Sequence, residues 1–127
     1  MTKSTIIKKV DIWKKKLGLI NWQISVDFHI LKYPKNTESF VGIARTQCQA
    51  TYKLATISFD PKKLPLVDNS VILHELLHCL FADLVGYSRA NIDHKVHDKA
   101  EAWLEHFEEG LVSEIERIIL RLHKSKP

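Results

Sequence analysis

The sequence predicts a single α+β domain spanning residues 1–127. Its parts are an N-terminal helix, a small three-stranded sheet, a short buried helix and a long C-terminal helix that could break near Gly110. Three observations carry this reading. Apolar and polar residues alternate with period two between Trp22 and Ile30, the pattern of a half-buried strand. Apolar residues recur at helical spacing before and after that stretch. The length, 127 residues, suits one hydrophobic core.

Composition narrows the class. A hydrophobic fraction of 45% and a charged fraction of 27% are those of an ordinary globular chain. No run of apolar residues reaches the length of a membrane span. Met1 to Lys9 lacks the apolar core of a signal peptide. Cys48 and Cys79 make neither a disulfide framework nor a zinc ribbon. A cytoplasmic setting is therefore expected. The net charge of +4 permits an acidic partner without requiring one.

Ile6, Val10, Trp13 and Leu17 form the apolar stripe of the first helix, which Gly18 stops. Lys8, Lys9, Lys14, Lys15 and Lys16 lie mostly off that stripe. They read as a solvated face or, more sharply, as a basic surface for nucleic acid. Trp22 to Ile30 is the first strand. Tyr33 to Ser39 reads as a loop, on Pro34 and Asn36. Phe40 to Thr51 is β-prone, Tyr52 to Leu54 turn, and Ala55 to Phe59 form the third strand, closed by Asp60-Pro61. Asp68 or Asn69 caps the next helix. That helix is expected to end near Gly86, with Tyr87 to Ile92 as a polar connection. The last helical segment runs from about Asp93 to about Leu122.

The buried helix carries His74-Glu75-Leu76-Leu77-His78, an H-E-x-x-H motif. Residues four apart on a helix share a face, so His74 and His78 can offer two imidazole nitrogens to one Zn²⁺. Glu75 can reach a water on that ion without binding the ion itself, and can take its proton as it attacks a carbonyl. The bland alternative is a pair of hydrogen-bonded core histidines. The setting argues against it. Leu73, Leu76, Leu77, Leu80, Phe81 and Leu84 leave little polar face, and two histidines with a glutamate are costly there unless bound to something.

A catalytic zinc usually has three protein ligands. Phe81 and Leu84 occupy the glycine and histidine places of the longer H-E-x-x-H-x-x-G-x-x-H pattern, so the third ligand lies farther on. At 100° per residue, Leu104, Leu111, Ile115 and Leu122 centre an apolar stripe on the last helix. Glu108 falls about 40° from that centre and Glu109 about 140° away, on the solvent side. Glu105 and Glu116 are also well off centre. Glu108 is therefore the expected metal ligand, with Glu101, His94, His97 and His106 as alternatives. Tyr87, His94 and His97 are candidates for stabilising an oxyanion.

The motif at residues 74–78, with a late helix bearing Glu108-Glu109-Gly110-Leu111-Val112, resembles the zincin metallopeptidases. The nearer resemblance is to small single-domain metallopeptidase-like proteins of phages and prophages, related in pattern to gluzincins and SprT-like proteins. It covers most of the chain: a first helix, a strand opening at Asn21-Trp22, a strand pair ending at Asp60-Pro61, the motif helix and a glutamate-bearing last helix. The resemblance implies a zincin-like fold in the cytoplasm of a bacterial host, with a phage as one source of the chain. It implies a sheet edge at Ala55–Asp60 that receives a protein or peptide substrate by strand addition. It implies His74, His78 and Glu108 as zinc ligands and Glu75 as general base.

The leading expectation is thus a zinc-dependent metallopeptidase. The competing one is a non-catalytic module in which zinc holds two helices together and the surface binds a protein or nucleic acid. Glu75 separates them, because a purely structural site needs no carboxylate beside its first ligand.

Overall fold

A computed structural model describes residues 1–32, 42–90 and 97–124, and within them every side chain except those of residues 89, 90, 97–99 and 101. The chain is mixed α+β, a small sheet with several helices. Helix α1 spans Lys3–Lys16. Its end is a Schellman cap. Gly18, at φ +73°, lets its N–H reach Lys15 O at 3.1 Å while Leu19 N–H reaches Lys14 O at 3.0 Å. Leu19 is buried at that corner. Of the α1 lysines, Lys15 pairs with Asp11 at 2.9 Å and Lys16 lies over the Trp13 ring.

Strands β1 (Gln23–Phe28), β2 (Ala44–Gln49) and β3 (Leu54–Phe59) form one sheet in the order β1-β3-β2. β1 lies parallel to β3, with Ile24 beside Ala55 and Phe28 beside Phe59. β2 lies antiparallel to β3, with Thr46 beside Ile57 and Cys48 beside Ala55. The register gathers Ile24, Val26, Phe28, Ala55, Ile57 and Phe59 on one face, with Ala44, Thr46 and Cys48 of β2 continuing it. β3 is therefore the central strand, and Ala55–Asp60 is not the sheet edge. Its nearly continuous burial is what a strand paired on both sides requires. The antiparallel edge is β2, whose Ala-Arg-Thr-Gln-Cys-Gln run is polar on its outer face.

A 3-10 turn at Ala50–Tyr52 and Lys53 in the left-handed region join β2 to β3. A second, at Pro61–Leu66, leads to α2 (Asn69–Leu80), where the Asp68 side chain accepts from Val71 N–H at 3.0 Å. Ile72, Leu73, Leu76, Leu77 and Cys79 are buried between the sheet face and α1. The Trp13 indole N–H also donates to Asn69 Oδ1.

The helix does not run on to Gly86. It breaks at Phe81, and α3 (Ala82–Ala90) leaves at 53°, passing through Gly86 and most of the expected connection. The last helix, α4 (His97–Lys124), is continuous through Gly110. A single glycine costs only about 1 kcal/mol in a helix, which the packing of α4 on α2 offsets. No single helix among the described residues is long and apolar enough to cross a membrane. The expected loop at Tyr33–Ser39 lies outside the described residues.

Candidate metal centre

The cleft that holds the motif has a volume of about 1110 Å³ and is walled by β2, α2 and α4. One helical turn separates His74 from His78, and their ring centres are 5.0 Å apart. Glu109 reaches both. Its Oε2 lies 3.0 Å from His74 Nε2 and its Oε1 3.1 Å from His78 Nε2. Single donor atoms of His74, His78 and Glu109 lie within 4.8 Å of one another.

The other face of each ring is also held. His74 Nδ1 is 3.0 Å from Glu116 Oε2, and His78 Nδ1 is 3.5 Å from Glu108 Oε2. A carboxylate only accepts, so His74 Nδ1 carries a proton toward Glu116, and both rings turn Nε2 into the cleft. Glu116 is itself fixed by the Ser70 hydroxyl, which donates to its Oε1. Carboxylates behind metal-binding histidines set ring orientation and raise ligand basicity.

Glu75 points toward the sheet. It is 8% exposed, and its Oε2 accepts from the Thr46 hydroxyl on β2. Burial pushes its pKa above the ordinary carboxylate value, against the opposing pull of the Thr46 hydrogen bond. Two residues along the same face of β2, Cys48 Sγ contacts Cys79 Sγ at 3.6 Å. Strand and motif helix are thus linked twice, beside the first histidine and beyond the second.

Electrostatics explains how two largely buried histidines sit among three carboxylates. Burial pulls the His78 imidazole down, but Glu108 and Glu109 outweigh it and push its pKa up to about 10. His74 is raised in the same way, burial being overcome by Glu109 and Glu116. His74 and then His78 hold Glu109 well below the usual carboxylate range. The His78 ring is therefore imidazolium at neutral pH, and the His74 ring is shifted toward its charged form, positive charge in the place that one divalent cation could take. Two imidazole nitrogens and a carboxylate oxygen are a donor set that suits Zn²⁺.

His74, Glu75, His78 and Glu108 do come together, but Glu108 is not the carboxylate that both Nε2 atoms face. Glu109 is exposed, as expected, its side chain 56% accessible, yet it contacts both Nε2 atoms, while Glu108 lies behind His78. The cause is the phase of α4. Its inward face is centred on Val112 and Glu116, 0% and 9% exposed, about 100° round from the apolar stripe. Glu108 and Glu109 straddle that line. Glu116, Ser70 and Thr46 were not foreseen. A usable signal existed in Glu105, Glu108, Glu109, Val112 and Glu116, an acidic stripe at helical spacing with the same period as an apolar one. His106 is exposed and packs against Phe107, and Tyr87 is exposed on α3. His94 and the side chains of His97 and Glu101 lie outside the described residues.

Comparison with protein-family models, with curated proteins and with solved structures found no match to the chain.

Proposed function

We propose that the chain is a zinc-dependent metallopeptidase, with His74, His78 and Glu109 as the protein ligands and Glu75 as the general base. One observation carries the reading. The two Nε2 atoms converge on one carboxylate while separate carboxylates hold the two Nδ1 atoms. A pair of ordinary core histidines has no need of three glutamates.

Zinc with an open position supplies a Lewis acid and a water acidic enough to ionise near neutral pH. The chain's own residues do the rest. Glu116 and Glu108 fix ring orientation. Thr46 holds one oxygen of Glu75 and leaves the other to take a proton. A base held above the ordinary carboxylate pKa is better matched to a neutral solution. β2, antiparallel and beside α2, is an edge strand among the described residues and offers its outer backbone to an extended peptide. This edge takes the place given to Ala55–Asp60 by sequence.

A second reading is a non-catalytic zincin-like module. It is favoured by one fact: His74 and His78 lie on α2 and Glu109 on α4, so a metal there would tie α4 to the domain.

The deciding experiment is elemental mass spectrometry on protein purified without a histidine tag, followed by peptide hydrolysis. About one zinc per chain is expected, with hydrolysis lost on chelation. Absence of metal after zinc is added back overturns both readings. Bound zinc without hydrolysis of any unfolded protein leaves the structural reading.

A further inference from the structure

Only part of the apolar side of α4 is covered: Leu104 and Ile115 are partly buried, while its neighbouring large side chains stand in solvent. Trp103, Phe107, Leu111, Ile118 and Leu122 are 66%, 61%, 43%, 48% and 63% exposed. At 100° per residue they fall within an arc of about 100°, centred about 150° away from the glutamates that face the histidines. Trp103 and Phe107 lie side by side, with ring centres 6.0 Å apart. The stripe runs for most of a helix about 42 Å long. Contiguous apolar patches of more than a few hundred Å² are uncommon on monomers and mark contact surfaces.

The order of residues along the stripe identifies the occupant. Reversing α4 about the midpoint between Val112 and Ser113 carries Trp103 onto Leu122 and Phe107 onto Ile118. Leu111 is carried onto Glu114, on the same arc. Phe107 and Ile118 lie about 10° to either side of the centre of the arc and so meet across the seam, while Trp103 and Leu122 lie at its two borders. A surface complementary to its own reversal is what a two-fold contact requires. The five side chains offer on the order of 500–600 Å² per copy, or about 1,000–1,200 Å² for a pair, the lower edge of a specific interface.

We propose that α4 pairs antiparallel with α4 of a second copy of this chain, with Phe107 of each facing Ile118 of the other. The contact is isologous and closes at two copies. Both clefts remain open, because the glutamate face of α4 points away from the contact. The inference is independent of the metal and of the proposed hydrolysis.

The test is sedimentation equilibrium of the untagged chain at roughly 100 µM, above the micromolar Kd that such an area supports. The expected mass is about twice the 14.7 kDa of one chain. Phe107→Glu and Ile118→Lys, both at exposed positions, should each give a folded monomer by circular dichroism. Mixed in equal amounts they should form a heterodimer, because the new carboxylate on one chain faces the new amine on the other. A monomeric wild type overturns the proposal, including one that instead sediments with phosphatidylcholine vesicles. So does a dimer that survives both substitutions. Folded variants that remain monomeric when mixed overturn the pairing register and the proposal with it.

Discussion

Glu116 accepts the Nδ1 proton of His74 at 3.0 Å, and in doing so settles which nitrogen the ring turns to the cleft. Glu116 is nearly as buried as Glu75, and the Ser70 hydroxyl is its other partner. Glu116→Ala should therefore weaken zinc binding by roughly 10- to 100-fold, the usual effect of removing a carboxylate behind a metal-binding histidine. Glu116→Gln keeps an acceptor oxygen and should lose less. Competition titration with a chromophoric chelator measures this. Wild-type affinity in the alanine variant would remove the orienting role.

Glu109 and Glu108 are neighbours in sequence with different duties. Glu109→Ala removes the carboxylate shared by both Nε2 atoms and should lower zinc affinity more than Glu108→Ala, which leaves that carboxylate in place. The expected ranking is Glu109→Ala below Glu108→Ala, with a gap of about tenfold or more. The reverse order would restore Glu108 as the ligand and discard the observed phase of α4.

Glu75→Gln should retain zinc and lose hydrolysis by about 10²- to 10⁴-fold in kcat, the usual contribution of a positioned base. Thr46→Val removes the hydroxyl that fixes the carboxylate and should cost roughly tenfold, the value of about one hydrogen bond. Comparable hydrolysis by the wild type and Glu75→Gln, at equal zinc content, would end the general-base assignment.

The metal-free protein should respond to pH through the same ion pairs. The raised pKa of His78, about 10 against an ordinary 6.5, stabilises the fold fully below 6.5, an effect lost as pH rises through 10. Glu109, depressed from an ordinary 4.5, contributes above that value and loses its effect as pH falls. Chelated protein should therefore be most resistant to urea between about pH 4.5 and 6.5. Zinc must displace the Nε2 proton of His78, so its apparent affinity should rise by about tenfold or more per pH unit near neutrality. A flat affinity between about pH 6 and 8 would show that the rings are already neutral.

Much of this architecture can be read from the residues. The alternation after Trp22, the Asp68 cap and the H-E-x-x-H turn follow from local chemistry, and each lies where its pattern puts it. Two features do not follow from apolarity. The sheet order depends on which strand is paired on both sides. Ala55, Ile57, Ser58 and Phe59, buried almost without interruption, carry that information more clearly than alternation does. The rotation of α4 is the other. Hydrogen bonding to His74 and His78 turns its acidic side inward and leaves Trp103 and Phe107 outside, so ranking faces by hydrophobicity selects the wrong one. The break at Phe81 has no proline or glycine beside it to announce it.

The partners at the centre are far apart along the chain: 42 residues separate His74 from Glu116 and 35 separate it from Glu109. During synthesis the histidines emerge well before the carboxylates that orient and complete them. A growing chain thus carries the strand, the base and two loosely held imidazoles, but no high-affinity donor set, until α4 has been made and has docked. Metal capture under the proposed function then coincides with the last step of folding, so a newborn hydrolase would stay silent while its own unfolded segments are the nearest extended peptides.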